Sequence, residues 1–123
     1  MNEKIVISIN PEHVRNILDG VKKYEFRKVI ARSNISTLII YETAPVKSIV
    51  AEVEILGILT SSPDDLWEQT KKAAGISKKF FDEYFEGRET AYAYQLGKIK
   101  LYDEPKCLMD YGIKAAPQSF VYV

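Results

Sequence analysis

A single cysteine and a single histidine among 123 residues leave little room for several classes of chemistry. With Cys107 alone, neither an internal disulfide nor a cysteine-rich zinc site can form. With His13 alone, no paired-histidine metal motif exists, while a Cys–His nucleophilic pair remains arithmetically possible. Cys107 falls in the apolar stretch Cys107-Leu108-Met109; free cysteine is among the most buried residue types, so it is expected to pack. No apolar run approaches the roughly 18–20 residues that a membrane span needs. The opening MNEKIVISIN has no apolar signal-peptide core and runs directly into a strand pattern, so a cytoplasmic protein with no membrane partner is expected. An excess of one charge is also missing. Seventeen Lys+Arg balance seventeen Asp+Glu, so any polyanion must be held by a local patch. Neither GxxxxGK[ST] nor a GxGxxG after a strand occurs, which removes the usual phosphate-cradling loops. No cofactor and no metal are expected.

What is present describes a folded domain. At 46% hydrophobic and 28% charged the chain has enough apolar surface to build a core. Its length suits one core rather than two, so residues 1–123 are expected to form a single domain. Lys4 to Ile9 alternates and is β-branched, the pattern of a half-buried strand. Asn10 and Pro11 then open a helix as N-cap and first-turn proline. Val14, Ile17 and Leu18 give it one apolar face, and Gly20 ends it. Lys22 to Lys28 reads as a second strand, with Tyr24 and Phe26 on one side and Lys23, Glu25 and Arg27 on the other.

Thr37 to Tyr41 is a short apolar strand closed by the turn Glu42-Thr43-Ala44-Pro45. Ser48 to Leu59 is a long strand with a bulge or corner at Gly57. Ser62-Pro63-Asp64-Asp65 caps a helix that ends near Gly75, and Ser77 caps another that is stopped by Gly87. The row Phe80, Phe81, Tyr84, Phe85 in that helix has the spacing of a core-facing stripe, and Trp67 is expected to anchor the inserted helices to the barrel. Thr90 to Tyr102 returns to strand, with Tyr92 and Tyr94, like Tyr41, placed in the barrel core or rim. A turn over Lys106 to Tyr111 ends at Gly112, and Ser119 to Val123 is the last strand. Five or six strands with an N-terminal helix and two inserted helices predict an α+β protein built on a small mixed barrel.

The densest functional signal is Gly20 to Arg32, where five basic residues meet one acid in a chain of zero net charge. Phosphate recognition uses such a patch: Lys22, Lys23, Arg27 and Lys28 supply cations, and Tyr24 offers a plane on which an unpaired base can stack. The same residues also suit a solvated strand in which Glu25 and Arg27 pair across one face. Ser8, Thr43, Gln118 and Ser119 are further candidates, at the mouth of the same cleft or on the last strand, with ordinary turn hydrogen bonding as the alternative. His13 stands alone on the first helix, where a surface or cap role is expected.

The pattern Ile9-x-Pro11…Ile17-Leu18-x-Gly20-x-Lys22-x-x-Glu25-x-Arg27 resembles the GxKxxExR signature of the ASCH domain (activating signal cointegrator homology). That family belongs to the PUA-like barrels, alongside other RNA-binding and modified-base-reading domains. The tail Gly112-Ile113-x-x-Ala116-Pro117-Gln118-Ser119-Phe120 is similar to small prokaryotic members associated with transcriptional regulation. The resemblance implies a cleft between barrel and first helix floored by Lys22, Glu25 and Arg27, taking RNA or a nucleotide-like ligand in transcriptional or translational regulation. Arg27 would hold a phosphate or carboxylate in two-point fashion, Glu25 would accept a base amino group or orient Lys22, and Lys22 would act as a point charge. Lys22 and Glu25 are three apart and would face opposite sides of a regular strand, so Lys22 must sit on the preceding turn or at a bulge.

Two other readings follow from the same family. Some small bacterial members resemble amidohydrolases that deacetylate N4-acetylcytidine, with the signature lysine as nucleophile, a threonine three residues later and a downstream glutamate. Here Lys22 matches the lysine, Glu25 stands in place of the threonine, and the downstream position falls near Ala74. Ribonuclease activity is also attributed to some members; as an enzyme of either kind the chain would rest on Lys22 and Glu25. The last alternative is a protein-interaction module with partners in a regulatory complex and no small ligand.

Overall fold

The computed structural model describes residues 3–32 and 34–123. Its elements run β1 (Glu3–Ile9), α1 (Pro11–Leu18), β2 (Tyr24–Arg27), β3 (Ile35–Glu42), β4 (Ser48–Ser61), α2 (Pro63–Thr70), α3 (Lys78–Tyr84), β5 (Ala91–Lys106) and β6 (Phe120–Tyr122), with single 3-10 turns at Lys71–Ala73 and Leu108–Tyr111. This is the α+β order that the hydrophobic pattern predicts. The helix signals act locally as expected: the Ser62 hydroxyl accepts from the Asp65 amide at 3.3 Å and the Ser77 hydroxyl from Phe80 at 3.1 Å, each satisfying an orphan donor of a first turn. Asn10 departs from that scheme. Its side chain makes no cap bond and instead accepts from the Thr43 hydroxyl at 3.2 Å.

All six strands share one mixed sheet in the order β2-β5-β4-β3-β1-β6. β1 and β3 are parallel, and the crossover that a parallel pair requires contains α1 and β2. The other neighbours are antiparallel. The long β4–β5 ribbon slips register at Val53/Ile55 and again at Ile55/Gly57, close to the corner expected at Gly57. Such irregularities raise the local twist and let a sheet curl, here into a half-barrel. The curl brings the β2 edge back toward β1, where Arg27 Nη2 donates to the Ser8 carbonyl at 2.7 Å.

Three apolar clusters hold the sheet. The interior of the half-barrel joins Ile5, Ile7, Ile9, Leu38, Ile40, Val53 and Tyr94 to Val14 and Ile17 of α1. Tyr94 is fully buried, and its hydroxyl accepts from the Ala31 amide at 2.9 Å. A second cluster sets α2 and α3 against the β2–β5 end through Phe26, Leu66, Ala74, Phe81, Phe85 and Ala93, with Trp67 packed at its margin. The Trp67 and Phe81 rings lie 5.0 Å apart, in keeping with the anchoring role expected of Trp67.

The third cluster corrects two expectations. β1 is not half-buried: Ile5, Val6 and Ile7 are all fully enclosed, because β1 runs between β3 and β6 and its outer face is covered. Leu108, Tyr111 and Ile113 pack over Val6, Ile39, Tyr41 and Ile49 there. Cys107, expected to pack, is exposed. It precedes the 3-10 turn, donating its amide to Asp110 Oδ2 at 3.1 Å, and only Leu108 and Tyr111 of that turn reach inward.

Candidate functional site

The end of α1 builds the floor of a cavity. Gly20 takes φ +80°, reversing the chain so that the Val21 and Lys22 amides both donate to the Asn16 carbonyl, at 3.0 and 2.9 Å. Lys23 donates its amide to Ala73 at 2.9 Å, so regular pairing with β5 starts only at Tyr24. Lys22 therefore sits on the turn before the strand, free of its alternation, as the three-residue spacing to Glu25 requires. From there its ammonium reaches the Ala74 carbonyl at 3.3 Å, Glu25 Oε1 at 3.8 Å and the Phe26 ring face at 4.7 Å.

Glu25 lies between two cations. Its Oε2 accepts from Arg27 Nε at 3.0 Å and pairs with Arg27 Nη2 at 2.8 Å. The Lys22 and Glu25 side chains are 2% and 7% exposed, and Arg27 is 14% exposed. Arg27 thus uses Nε and Nη2 on Glu25 and Ser8, and among the described residues its two Nη1 hydrogens have no acceptor. Those two donors, in the fixed plane of a guanidinium, suit an anionic oxygen. Burial pushes the Lys22 amine below its usual 10.5; Glu25 pulls it back up and Arg27 adds to the lowering.

Over this floor lies a cavity of about 450 Å³, lined from α1 by His13, from the turns by Asn10, Thr43 and Ile76, from α3 by Phe80 and Tyr84, and from the tail by Ala116, Pro117 and Gln118. Its volume falls within the roughly 300–1,000 Å³ of small-molecule sites. Lys22, Glu25, Arg27, Ser8, Thr43 and Gln118 all line it. The Ser8 hydroxyl is committed to the Pro117 carbonyl at 2.7 Å.

Four expected residues lie outside the lining. Lys23 is exposed on the far side of the turn. Tyr24 packs beside Phe26, their rings 6.3 Å apart, as strand parity directs. Lys28 covers the Tyr84 ring at 4.7 Å, behind the wall rather than inside it. Ser119 contributes its backbone carbonyl to the Ser8 amide at 3.2 Å. The basic patch of the sequence therefore divides: two of its cations enter the cavity, and they share one carboxylate.

Sequence reasoning missed His13 and half of the aromatic row. His13 is half-buried, lies 5.3 Å from the Phe80 ring, and its Nδ1 has no hydrogen-bond partner. Its place four residues before the buried Ile17, on the flank of the apolar face, was the available signal. Phe81 and Phe85 are buried as expected, but Phe80 is 45% exposed and lines the cavity together with Tyr84. Burial, reinforced by the Lys22 charge, pushes the His13 imidazole below its ordinary 6.5. Below pH 6.5 the unfolded chain takes up a proton that the folded one still refuses, so stability falls on acidification until the folded-state value is reached. Denaturant titrations from pH 7 to 5 should show this loss in the wild type and lack it in His13→Gln; matching profiles would mean that His13 is solvated.

The ASCH domain family model matches residues 7–101. The chain belongs to the ASCH domain family. Among relatives, this ASCH domain is 36% identical over 95 residues to an "ASCH domain-containing ribonuclease" of Zymomonas mobilis, covering 76% of this chain and 64% of that protein. It is 30% identical over 122 residues to a protein of Ureaplasma parvum named large ribosomal subunit protein uL22, covering 98% of this chain but 39% of that protein. The same length matches a Ureaplasma protein named ATP synthase subunit alpha at 29% identity, over 15% of it. The chain thus spans only a minor part of two proteins whose names share no activity. Its fold matches the crystal structure of ASCH from Zymomonas mobilis with a TM-score of 0.84 at 30% identity, over 98% of this chain and 87% of that one. Two single-residue variants of that protein, one Tyr→Phe and one Ser→Ala, each match with a TM-score of 0.87.

Of the amidohydrolase parts, this ASCH domain has the lysine, with Glu25 and Ala74 both beside it. Ala74 contributes a backbone carbonyl and no carboxylate. Among the described residues, no helix is long and apolar enough to cross a membrane, and no group of three or more His, Cys, Asp or Glu is placed to hold a metal ion.

Proposed function

We propose that this ASCH domain binds single-stranded RNA by taking one unpaired nucleotide into the cavity above Lys22, Glu25 and Arg27. The observation that carries the proposal is the Arg27 guanidinium, fixed by Glu25 and Ser8 with its Nη1 face uncommitted on the floor of a 450 Å³ cavity. A phosphate or a base carbonyl on Nη1 would complete its donors. The Tyr84, Phe80 and His13 rings supply apolar and stacking surface, and Asn10, Thr43 and Gln118 supply groups for a base edge. The Zymomonas relative, named a ribonuclease, supports RNA as the polymer. Because Lys22 and Arg27 are, among the described residues, the lysine and arginine of the lining, one or two phosphates would be neutralised. The logarithm of affinity should then fall with the logarithm of salt with a slope of only about −0.7 to −1.4.

Lys22→Ala and Arg27→Ala are each expected to weaken binding of a short unstructured oligoribonucleotide at least about tenfold, the value of one charge-assisted contact, while keeping a cooperative unfolding transition. Fluorescence anisotropy across a salt series measures both effects. Unchanged salt-dependent binding in the two variants would defeat the proposal, and retention of a protein partner without RNA would make the domain an interaction module instead.

A second reading is RNA cleavage, favoured by the placement of Lys22 and His13. Burial lowers the basicity of both and both line one cavity, where the His13 imidazole can take a proton and the Lys22 and Arg27 cations can stabilise developing charge. Lys22→Ala would then abolish turnover of single-stranded RNA. A clean preparation that binds and does not cleave would leave binding as the function.

A further inference from the structure

A second cavity, also of about 450 Å³, adjoins the first. It is lined by Glu12, His13, Gly75, Ile76, Ser77 and Phe80, and His13, Ile76 and Phe80 line both. Two of these shared residues are rings, His13 and Phe80, which meet at 66° with centroids 5.3 Å apart. Phe80 is the anomaly of the two. Phe81 on α3 and Phe85 at its C-cap form the core-facing row, 0% and 2% exposed, while Phe80 is 45% exposed. An aromatic ring left this accessible forgoes burial that its neighbour one residue on achieves completely.

The lining of the second cavity also differs in charge. It carries one carboxylate, Glu12, and no lysine or arginine; burial disfavours the charged form of His13. A phosphate would be repelled there, whereas a base would be received: its ring against Phe80, its exocyclic amine toward the Glu12 carboxylate.

We infer that the second cavity is a subsite for the nucleotide adjacent, along the same RNA strand, to the one held above Arg27. Phe80 is the stacking platform, and Glu12 selects adenine, cytosine or guanine over uracil, which has no exocyclic amine. The inference rests on the nucleotide reading of the first cavity, and its test separates the two. Calorimetric titrations would compare adenosine monophosphate with adenylyl dinucleotides, in which uridine replaces adenosine at either position. The dinucleotide should bind about tenfold tighter than the mononucleotide, the effect of one base stacked on one ring. Phe80→Ala should bring that ratio close to one and Phe80→Leu, which retains apolar volume and so guards against a folding artefact, should reduce it in part. Glu12→Gln should keep the tenfold gain but lose the preference for adenine over uracil at one position. A dinucleotide that binds no tighter than the mononucleotide, or a Phe80→Ala that leaves the ratio intact, overturns the subsite while the first cavity stands. Failure of both probes to bind the wild type overturns the nucleotide reading and the subsite with it.

Discussion

Glu25→Ala is expected to remove about 3–5 kcal/mol of folding stability, the effect of stripping one partner from a buried ion pair. For a domain of this size the melting temperature should fall by roughly 10–20 °C. Glu25 Oε2 satisfies two donors of Arg27, and Oε1 lies 3.8 Å from Lys22. Without that carboxylate, two cations are left facing each other in a site where the Lys22 and Arg27 side chains are only 2% and 14% exposed. Lys22→Met should behave in the opposite way. Arg27 keeps its pairing with Glu25, the desolvated ammonium disappears, and stability should stay within about 1 kcal/mol of the wild type or rise above it.

The pH dependence gives that contrast a second readout. The Lys22 amine is held below 10.5 in the folded state, so the wild type gains stability as pH rises toward 10.5. Any advantage of Lys22→Met should shrink over the same interval. Denaturant midpoints for both variants measure this directly. A loss under about 1 kcal/mol in Glu25→Ala would mean that water rather than Glu25 compensates these charges, and an equally large loss in Lys22→Met would mean that the Lys22 ammonium is itself a net stabilising partner. A Lys22→Met variant that keeps its stability would support the proposed role of Lys22 in holding a ligand.

Gly75→Ala is the second large expected effect. Gly75 has φ +70°, and a Cβ there would stand 2.3 Å from Lys22 Cβ and 2.7 Å from Lys22 Cα. Those atoms belong to the backbone and stem of Lys22, so no side-chain rotation relieves the contact. The left-handed conformation adds about 1–2 kcal/mol and the overpacking about 1–3 kcal/mol. A total near 3 kcal/mol is expected, together with loss of nucleotide binding as Lys22 is pushed from the floor. Gly20→Ala is the matched control: Gly20 has φ +80° but nothing within 4 Å of the added carbon, so only the conformational part should appear and binding should survive. Thermal unfolding and oligoribonucleotide titration of the pair decide it; equal behaviour of the two variants would show that the 73–75 segment does not clamp Lys22.

That clamp is where local reading stopped. Ala73 accepts from the Lys23 amide, Ala74 from Lys22 Nζ at a separation of 52 residues, and Gly75 from Asn16 across 59. Nothing in the residues around Ala74 themselves signals a partner half a chain away; only the amidohydrolase resemblance sets that position against Lys22, as the place of a missing glutamate. His13 depends on distance too: the spacing to Ile17 puts it on the flank of the apolar face, but the ring that faces it, Phe80, arrives from another helix. The apolar stretch around Cys107 points it inward, but the turn that follows sends Leu108 and Tyr111 inward and leaves Cys107 outside.

The amino-acid sequence by itself determined the element order, the caps at Ser62 and Ser77, the reversal at Gly20, the opposite faces of Glu25 and Tyr24, and, through the Gly20–Arg27 signature, the family. These are consequences of short-range sterics, hydrogen bonding and period-two alternation, which act within a few residues. Only the tertiary structure decided that β1 is enclosed on both faces, that the basic patch splits so that two cations share one carboxylate, and that His13, Phe80, Tyr84 and Gln118 close over them. Those outcomes depend on how a twisted sheet curls and on which distant segments it brings into contact, and burial, not residue type, then sets which charges remain available to a ligand.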